Sequence, residues 1–222
     1  MHRTNKKYWL IIVVAIALIA GRVDRSMSAA LTIQNGDFEA VTLLDGKSGS
    51  VGNIPGWDMD QTSGIYGTWN PSATAFNQDY DGGNVAWMNS GYISQVLPYN
   101  LTDGHLYTLT VDVGHQQTSS CPACISYDYT IELLAGGELL NADSGTGTPG
   151  EWGTASLNYL ASASGGSLEI RLGAGGKRTH FDNVRLNNTA VPEPGTLMLL
   201  GSGLLGLAVF GKKKIQVYRI NG

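Results

Sequence analysis

The segment LYTLTVDVG at residues 106–114 is the stretch that decides the fold. Every second side chain in it is apolar, and most of the side chains between them are polar. The apolar set is Tyr107, Leu109, Val111 and Val113. Successive side chains of a strand point to opposite faces, so this period of two predicts a half-buried β-strand.

Similar short runs rich in β-branched and aromatic residues recur on both sides of this segment, separated by Gly, Asn, Asp, Ser and Pro clusters typical of turns. They lie at residues 31–39, 84–88, 92–97, 127–135, 137–142, 152–161, 167–175 and 179–186. No segment between residues 31 and 190 shows a convincing helical period. Eight or nine short strands over about 160 residues predict an all-β domain, an antiparallel β-sandwich of jelly-roll type.

The N-terminal residues 1–30 have the layout of a secretory signal peptide. Arg3, Lys6 and Lys7 form a basic start, and an apolar run follows at residues 9–20. Small residues around Ala30 suit cleavage after that position. The alternative is an uncleaved N-terminal anchor, and both readings place the following domain, residues 31–190, outside the cytoplasm.

The C-terminal residues 191–214 form a second terminal segment in three parts: VPEPGT, an apolar run and a lysine cluster. Pro192 and Pro194 lack a backbone N–H and prevent a helix from continuing back through them. We expect residues 196–211 to form a short membrane helix, since residues 212–214 are lysines that favour the cytoplasmic side. The apolar run is shorter than the roughly 17–25 residues of a full span. The alternative is a buried core element of the domain, and residues 215–222 form a short tail.

This three-part order resembles the PEP-CTERM sorting signal of Gram-negative bacteria that make exopolysaccharide. The residues that carry the motif are Val191, Pro192, Glu193, Pro194, Gly195 and Thr196. The resemblance implies recognition by the membrane transpeptidase exosortase and export to the cell surface or extracellular matrix. It also implies a C-terminal membrane anchor, either transient or permanent.

The predicted domain is strongly acidic. Residues 31–190 hold five basic and sixteen acidic side chains, a net charge of −11. Such a surface does not suit nucleic acid, whose phosphates are bound by clustered basic residues. It suits divalent cations or neutral glycans.

Several segments of the domain are similar to carbohydrate-binding-module and galactose-binding-like jelly rolls. They are NGDFE at 35–39, PGW at 55–57, GYISQVL at 91–97, residues 101–113, and FDNVRL at 181–186. The resemblance implies that the first and last strands are neighbours and that a structural Ca²⁺ lies between them. Carried over by position, Glu39 and Asp182 are its carboxylate ligands. The alternative is that Asp182 and Asn183 satisfy backbone groups at a turn.

Glycan binding needs exposed aromatic faces, because sugars pack their C–H surfaces on rings. Tyr66 and Trp69 lie in the long irregular region 41–78 and are the predicted glycan-binding residues. Trp57 and Trp87 fit the core better, since Trp57 follows a Pro-Gly turn and Trp87 lies in an apolar strand.

The two cysteines, Cys121 and Cys124, lie in the segment SSCPACIS. Exported proteins form disulfides readily, so a small disulfide between them is expected rather than a redox motif or a zinc site.

No motif for a catalytic nucleophile, a zinc protease or a phosphate-binding loop is present in the sequence, and no catalytic residues are predicted. We therefore expect a non-enzymatic surface or matrix protein that binds exopolysaccharide through its jelly roll. The alternatives are a secreted glycan-acting enzyme on the same fold and a purely structural matrix protein without a ligand.

Overall fold

The structure is a computed structural model that describes residues 27–59, 65–77, 83–119, 127–175, 178–191 and 201–203. One compact unit is Ser28–Ala190, and the terminal residues form a second unit in which residues 201–203 are helical. The strands of the first unit are β1 Ser28–Leu31, β2 Asp58–Met59, β3 Tyr66–Trp69, β4 Val85–Met88, β5 Gly91–Asn100, β6 His105–His115, β7 Asp128–Ala135, β8 Glu138–Thr146, β9 Trp152–Leu160, β10 Ser167–Ala174 and β11 Thr179–Ala190.

These strands form two antiparallel sheets, which confirms the predicted all-β sandwich. The six-stranded sheet has the order β3-β4-β11-β6-β9, with β1 also paired to β11. The five-stranded sheet has the order β2-β5-β10-β7-β8. The first and last strands are therefore neighbours, as the resemblance to jelly rolls implied.

The core lies between the sheets and is supplied by alternate residues of the long strands. Tyr107, Leu109 and Val111 of β6 are fully buried, while the residues between them lie on the other face. Leu168 and Ile170 of β10 meet them from the five-stranded sheet. Each large apolar side chain removed from water stabilises the fold by roughly 1.5–3 kcal/mol. The alternation read from residues 106–114 is confirmed.

Strand β1 begins before the predicted domain boundary. Its four residues pair with β11, from Ser28 opposite Thr189 to Leu31 opposite Leu186. Cleavage after Ala30 would remove three of these four residues. The cleavage position remains a prediction.

A β-bulge in β11 sets which side chains face outward. The register against β6 shifts by one residue between Asp182 and Arg185, and Asn183 adopts a positive φ of 50°. The backbone N–H of Val184 donates to Gly36 O at 2.8 Å. Because of the extra residue, Val184 returns to the core, whereas Asp182 and Arg185 both lie on the face away from the five-stranded sheet.

Several predictions concern residues that the structure does not describe. The Cys121–Cys124 disulfide, the signal peptide before Met27 and most of the sorting segment lie outside the described residues. Among the described residues, no helix has the length and apolar character needed to cross a membrane.

Candidate functional site

A row of five residues crosses the six-stranded sheet from β3 to β9. Strand pairing places each member opposite the next, in the order Gly67, Trp87, His180, Gly114 and Trp152. Neighbours of the row along the chain, such as Phe181 and Val113, belong to the core. The row therefore lies on the opposite side of the sheet, which we call the outer face.

Two glycines in this row make room for large rings. A Cβ on Gly114 would overlap the ring of Trp152, and a Cβ on Gly67 would lie 3.1 Å from Nε1 of Trp87. Both indole rings therefore lie close against the sheet backbone. Larger residues at the glycine positions would push the rings off the outer face.

Phe76 and Trp69 complete an aromatic cluster with Trp87, Trp152 and His180. The Phe76 ring centroid lies 5.1 Å from that of Trp152 and 6.2 Å from that of Trp69. The His180 ring lies 5.2 Å from Trp69 and 5.5 Å from Phe76. These separations are those of favourable offset and edge-to-face pairs. Trp69, Phe76, Trp87 and Trp152 belong, with Ala75 and Val85, to a second apolar cluster distinct from the core between the sheets, and His180 packs against its rings.

His180 is fully buried in this cluster. Burial is the main cause that lowers its pKa to about 3; the hydrogen bond to Gly114 opposes it, and the charges of His115 and Arg178 add to it. The ring is therefore neutral at ordinary pH. Its Nδ1 lies 3.2 Å from Gly114 O, whereas its Nε2 has no hydrogen-bond partner. A buried polar atom without a partner costs about 1–3 kcal/mol.

A pair of carboxyl groups lies next to the aromatic cluster on the outer face. Asp182 of β11 is directly opposite Asp112 of β6, two residues along each strand from His180 and Gly114. Residues paired in this way have Cβ atoms about 4.5–5.5 Å apart. The two side chains therefore stand side by side on one surface.

The two carboxyl groups have different surroundings. Asp182 is only 3% exposed and accepts a hydrogen bond from the backbone N–H of Asn183 at 2.7 Å. Asp112 is partly exposed and accepts bonds from Thr154 Oγ1 at 2.8 Å and from Arg185 at 3.3 Å. The outer face therefore brings aromatic rings, which can stack flat apolar molecules, next to carboxyl groups, which can transfer protons.

The predicted glycan-binding residues do not form an exposed platform. Trp69 is only 9% exposed, because it packs against His180 and Phe76 on the outer face. Tyr66 is half-buried, and its hydroxyl donates to Gly52 O. The expected exposure of Trp69 is therefore wrong. Trp57 is buried in the core as expected, whereas Trp87 is half-buried in the aromatic cluster.

Glu39, the first of the two proposed calcium ligands, already accepts several hydrogen bonds. The Glu39 carboxylate accepts the backbone N–H of Gly83 at 3.0 Å, that of Asn84, and the Asn84 side-chain amide at 3.1 Å. Three N–H donors leave about one of its four lone-pair directions for a cation. Within the described residues, no group of three or more His, Cys, Asp or Glu side chains is placed to hold a metal. The assignment of calcium to Glu39 and Asp182 remains a prediction.

Removal of calcium gives a direct test of that assignment. If Ca²⁺ joins Glu39 to Asp182, EDTA lowers the melting temperature of the full chain and added Ca²⁺ restores it, because a ligand of the native state stabilises it. Differential scanning calorimetry measures both changes. Added Mg²⁺ serves as the control, since it prefers a smaller octahedral site. An unchanged melting temperature would contradict the assignment.

A second buried histidine, His115, follows Gly114 at the end of β6. His115 lines a cavity of about 240 Å³ together with Tyr129, Glu151 and Trp152, the last of which also belongs to the aromatic cluster. Burial lowers its pKa to about 4, opposed by the charge of Asp128 and by a backbone hydrogen bond at Tyr127.

Sequence reasoning missed His180, Phe76 and Asp112 as site residues, and it considered Trp152 only as one of several aromatic candidates for glycan binding. The alternation in β6 placed Asp112 on the polar face of its strand, which was the one available signal. Nothing local in the sequence indicates that β11 pairs with β6 in the register that sets Asp182 opposite Asp112.

Comparison with known families and structures gives several matches. The sequence model of the HpiC1-like family, described as HpiC1 cyclase, matches residues 29–187. The PEP-CTERM protein-sorting motif matches residues 190–214, which confirms the predicted sorting signal and implies export and exosortase processing. The comparison with curated protein sequences gives no significant match.

Solved cyclases share the fold. An apo-form cyclase from Fischerella sp. is 23% identical, with a TM-score of 0.65 over 75% of this chain and 98% of that one. The Stig cyclase Fisc from Fischerella sp. TAU, in complex with (3Z)-3-(1-methyl-2-pyrrolidinylidene)-3H-indole, is 24% identical with a TM-score of 0.63, over 75% of this chain and all of that one. A Fischerella sp. TAU cyclase in complex with 4-(1H-indol-3-yl)butan-2-one is 24% identical with a TM-score of 0.63, over 74% of this chain and all of that one.

These matches correct the predicted function. The expectation of a non-enzymatic protein that binds exopolysaccharide is wrong, because a cyclase family model covers nearly the whole domain. The likeness to carbohydrate-binding modules reflects the shared jelly roll, a fold that hosts many functions. The family favours the enzymatic alternative over the binding one. The chain belongs to the HpiC1-like cyclase family.

Proposed function

We propose that this chain is an exported cyclase that closes a ring in an aromatic substrate of the indole class on the outer face of its six-stranded sheet. The carrying observation is the carboxyl pair Asp112–Asp182, which the strand register sets beside the aromatic cluster. The family match supports the reaction type, and the indole-type ligands named for the Fischerella complexes support the substrate class.

The aromatic cluster supplies the binding surface in this proposal. The rings of Trp152 and Trp87 lie against the sheet, and Phe76 packs beside Trp152. Flat apolar substrates stack on such rings and leave water. Binding of the folded substrate against these rings holds its two reacting ends close together. This positioning lowers the entropic part of the barrier to ring closure.

Asp182 supplies the proton transfer. Its carboxyl group is nearly excluded from solvent, so a proton given to a substrate carbon comes from the side chain rather than from bulk water. The same group takes a proton back when the ring has closed, which leaves the enzyme unchanged. Asp112 lies opposite Asp182 and accepts hydrogen bonds from Thr154 and Arg185. It provides a second polar group next to the reacting part of the substrate.

The C-terminal segment places this activity outside the cytoplasm. We propose that residues 196–211 hold the chain in the inner membrane until exosortase acts at the PEP-CTERM motif. The compact unit ends at Ala190, the residue at which the match to the sorting motif begins. The cyclase would then act at the cell surface or beyond it.

Turnover of candidate substrates tests the proposed function. The full chain, incubated with indoles carrying an alkenyl side chain at C3, is expected to yield products of unchanged mass with one additional ring, detected by liquid chromatography and NMR. A Trp152→Ala variant is expected to lower turnover through a higher KM, because it removes binding surface. Release of reducing sugars from polysaccharides, with no isomerisation of any indole, would contradict the proposal and favour a glycan-acting enzyme.

A further inference from the structure

The cavity of about 240 Å³ that His115 lines opens at one edge of the sandwich. Its walls come from β9 and β8, which are the last strands of the two sheets, and from the adjoining ends of β6 and β7. Farther along the same edge the two last strands are joined, since the side-chain amide of Asn141 donates to Asn158 O at 2.8 Å. The cavity is therefore a local opening between the sheets that is already present in the fold.

Gly153 of β9 leaves this cavity empty where a strand would normally place a core side chain. It lies opposite Val113, which belongs to the core, so its side-chain position faces the space between the sheets. A Cβ on Gly153 would meet no atom within 4 Å, and its φ lies outside the left-handed region that favours glycine. The backbone does not require a glycine here. Glycine inside a strand weakens it and often marks a position that a ligand approaches closely.

Three rings line the cavity, those of Tyr129, Trp152 and His115. The backbone hydrogen bond at Tyr127 favours the protonated form of His115, so the histidine ring is the donor in it. The Nε2 atom of His115 is buried and has no hydrogen-bond partner among the described residues. It is therefore the acceptor of the neutral ring. The wall combines aromatic rings with one unpaired acceptor, and it carries no positive charge at neutral pH.

The charge around the cavity is negative. Glu151 lines it, and none of its described lining residues is Lys or Arg. The charge of Asp128 acts on His115, where it opposes the lowering of the pKa by burial. Burial is the main cause that raises the pKa of Tyr129, and the charge of Asp143 adds to it. Carboxylates on several sides of a cavity give it a potential that attracts cations.

We propose that this cavity binds a small organic ammonium ion, with the rings of Tyr129 and Trp152 beside its carbon atoms and Glu151 balancing its charge. Aromatic faces attract such cations through the ring quadrupole, and more strongly where water is excluded. A hard cation such as Ca²⁺ requires about six to eight oxygen ligands, whereas Glu151 supplies the one carboxylate among the described lining residues. The inference goes beyond the proposed function, because the carboxyl pair Asp112–Asp182 lies on the outer face.

The test compares two probes of similar shape on the full chain by titration calorimetry at neutral pH and low salt. Benzylammonium carries a positive charge, and benzyl alcohol is neutral. The wild type is expected to bind benzylammonium at least about fivefold more tightly, the size of a partly desolvated cation–π contact with a carboxylate nearby. The neutral probe keeps the same ring, so the difference reports the charge.

Three variants locate the site. Gly153→Leu fills the empty space and is expected to weaken benzylammonium binding at least about tenfold, because the probe loses its buried position. Glu151→Gln keeps the shape of the cavity and is expected to weaken binding of benzylammonium alone, by about two- to fivefold. Glu138→Gln, on an exposed position of β8 outside the cavity, is the matched control and should bind both probes as the wild type does.

Equal binding of the two probes by the wild type, or no binding of benzylammonium, would overturn the inference. Undiminished binding in a folded Gly153→Leu protein would place the cation elsewhere and overturn the site. Circular dichroism and the melting temperature show whether that variant folds. If it does not, Glu151→Gln decides the matter: the preference for benzylammonium must fall in this variant and persist in Glu138→Gln.

Discussion

Substitution of Asp182 by Asn is expected to lower kcat for ring closure by about 10²–10⁴-fold, the usual contribution of a positioned acid or base. The side chain is buried beside the aromatic cluster, so water does not readily replace the proton it supplies. Asn keeps the size of Asp, and its carbonyl oxygen can still accept the backbone N–H of Asn183, which donates to Asp182 at 2.7 Å. The fold is therefore expected to survive the change.

Steady-state kinetics and circular dichroism of three variants check this prediction. Asp112→Asn is expected to have a smaller effect on kcat, because Asp112 is more exposed and is held by Thr154 and Arg185. Glu138→Gln, on an exposed position of the five-stranded sheet, is the matched control and should behave as wild type. A folded Asp182→Asn protein with undiminished kcat would exclude Asp182 as the acid.

Acidification is expected to destabilise the fold through the two buried histidines, between about pH 6.5 and 4 for His115 and between about pH 6.5 and 3 for His180. Burial lowers the pKa of His180 to about 3 and that of His115 to about 4, whereas an unfolded histidine has a pKa of about 6.5. The unfolded state thus binds more protons as the pH falls, and the free energy of unfolding decreases. At pH 4.5, His180 alone removes on the order of 2–3 kcal/mol of stability, and the full contribution is present above pH 6.5.

Urea unfolding at a series of pH values measures this effect. The slope of the unfolding free energy against pH should be shallower in His180→Phe than in wild type, and shallower still in the double variant with His115→Phe. The pKa of His115 responds to the charge of Asp128, and the pKa of His180 responds to the charges of His115 and Arg178. The carboxylates are the same in all three proteins, so their contribution to the slope cancels when the proteins are compared. Identical slopes in all three proteins would contradict the prediction.

Local patterns predicted the strands and the terminal sorting signal well. The period of two in residues 106–114 predicted β6, whose apolar side chains are buried. VPEPGT followed by an apolar run and lysines predicted the PEP-CTERM motif, which the family match confirms. Both features depend on residues adjacent in the chain, so their physical basis is visible in the sequence itself.

The candidate site was far less predictable. Trp69 was expected on an exposed loop surface, yet it is buried against His180 and Phe76. A Gly- and Ser-rich stretch indicates an irregular segment, but it does not tell which ring the folded sheet will cover. The acidic composition led to the prediction of cation or glycan binding. Composition gives the net charge of the domain, but it does not show which carboxyl groups lie together in the fold.

The sequence by itself determined that the chain is an exported β-sandwich protein, since alternation, turn residues and terminal hydrophobic segments act locally. Only the tertiary structure decided where a substrate can bind. The pairing of β11 with β6 sets Asp182 opposite Asp112, and His180 opposite Gly114, across about 70 residues of chain. A register shift of one residue would turn both side chains of β11 into the core, and no local pattern specifies that register.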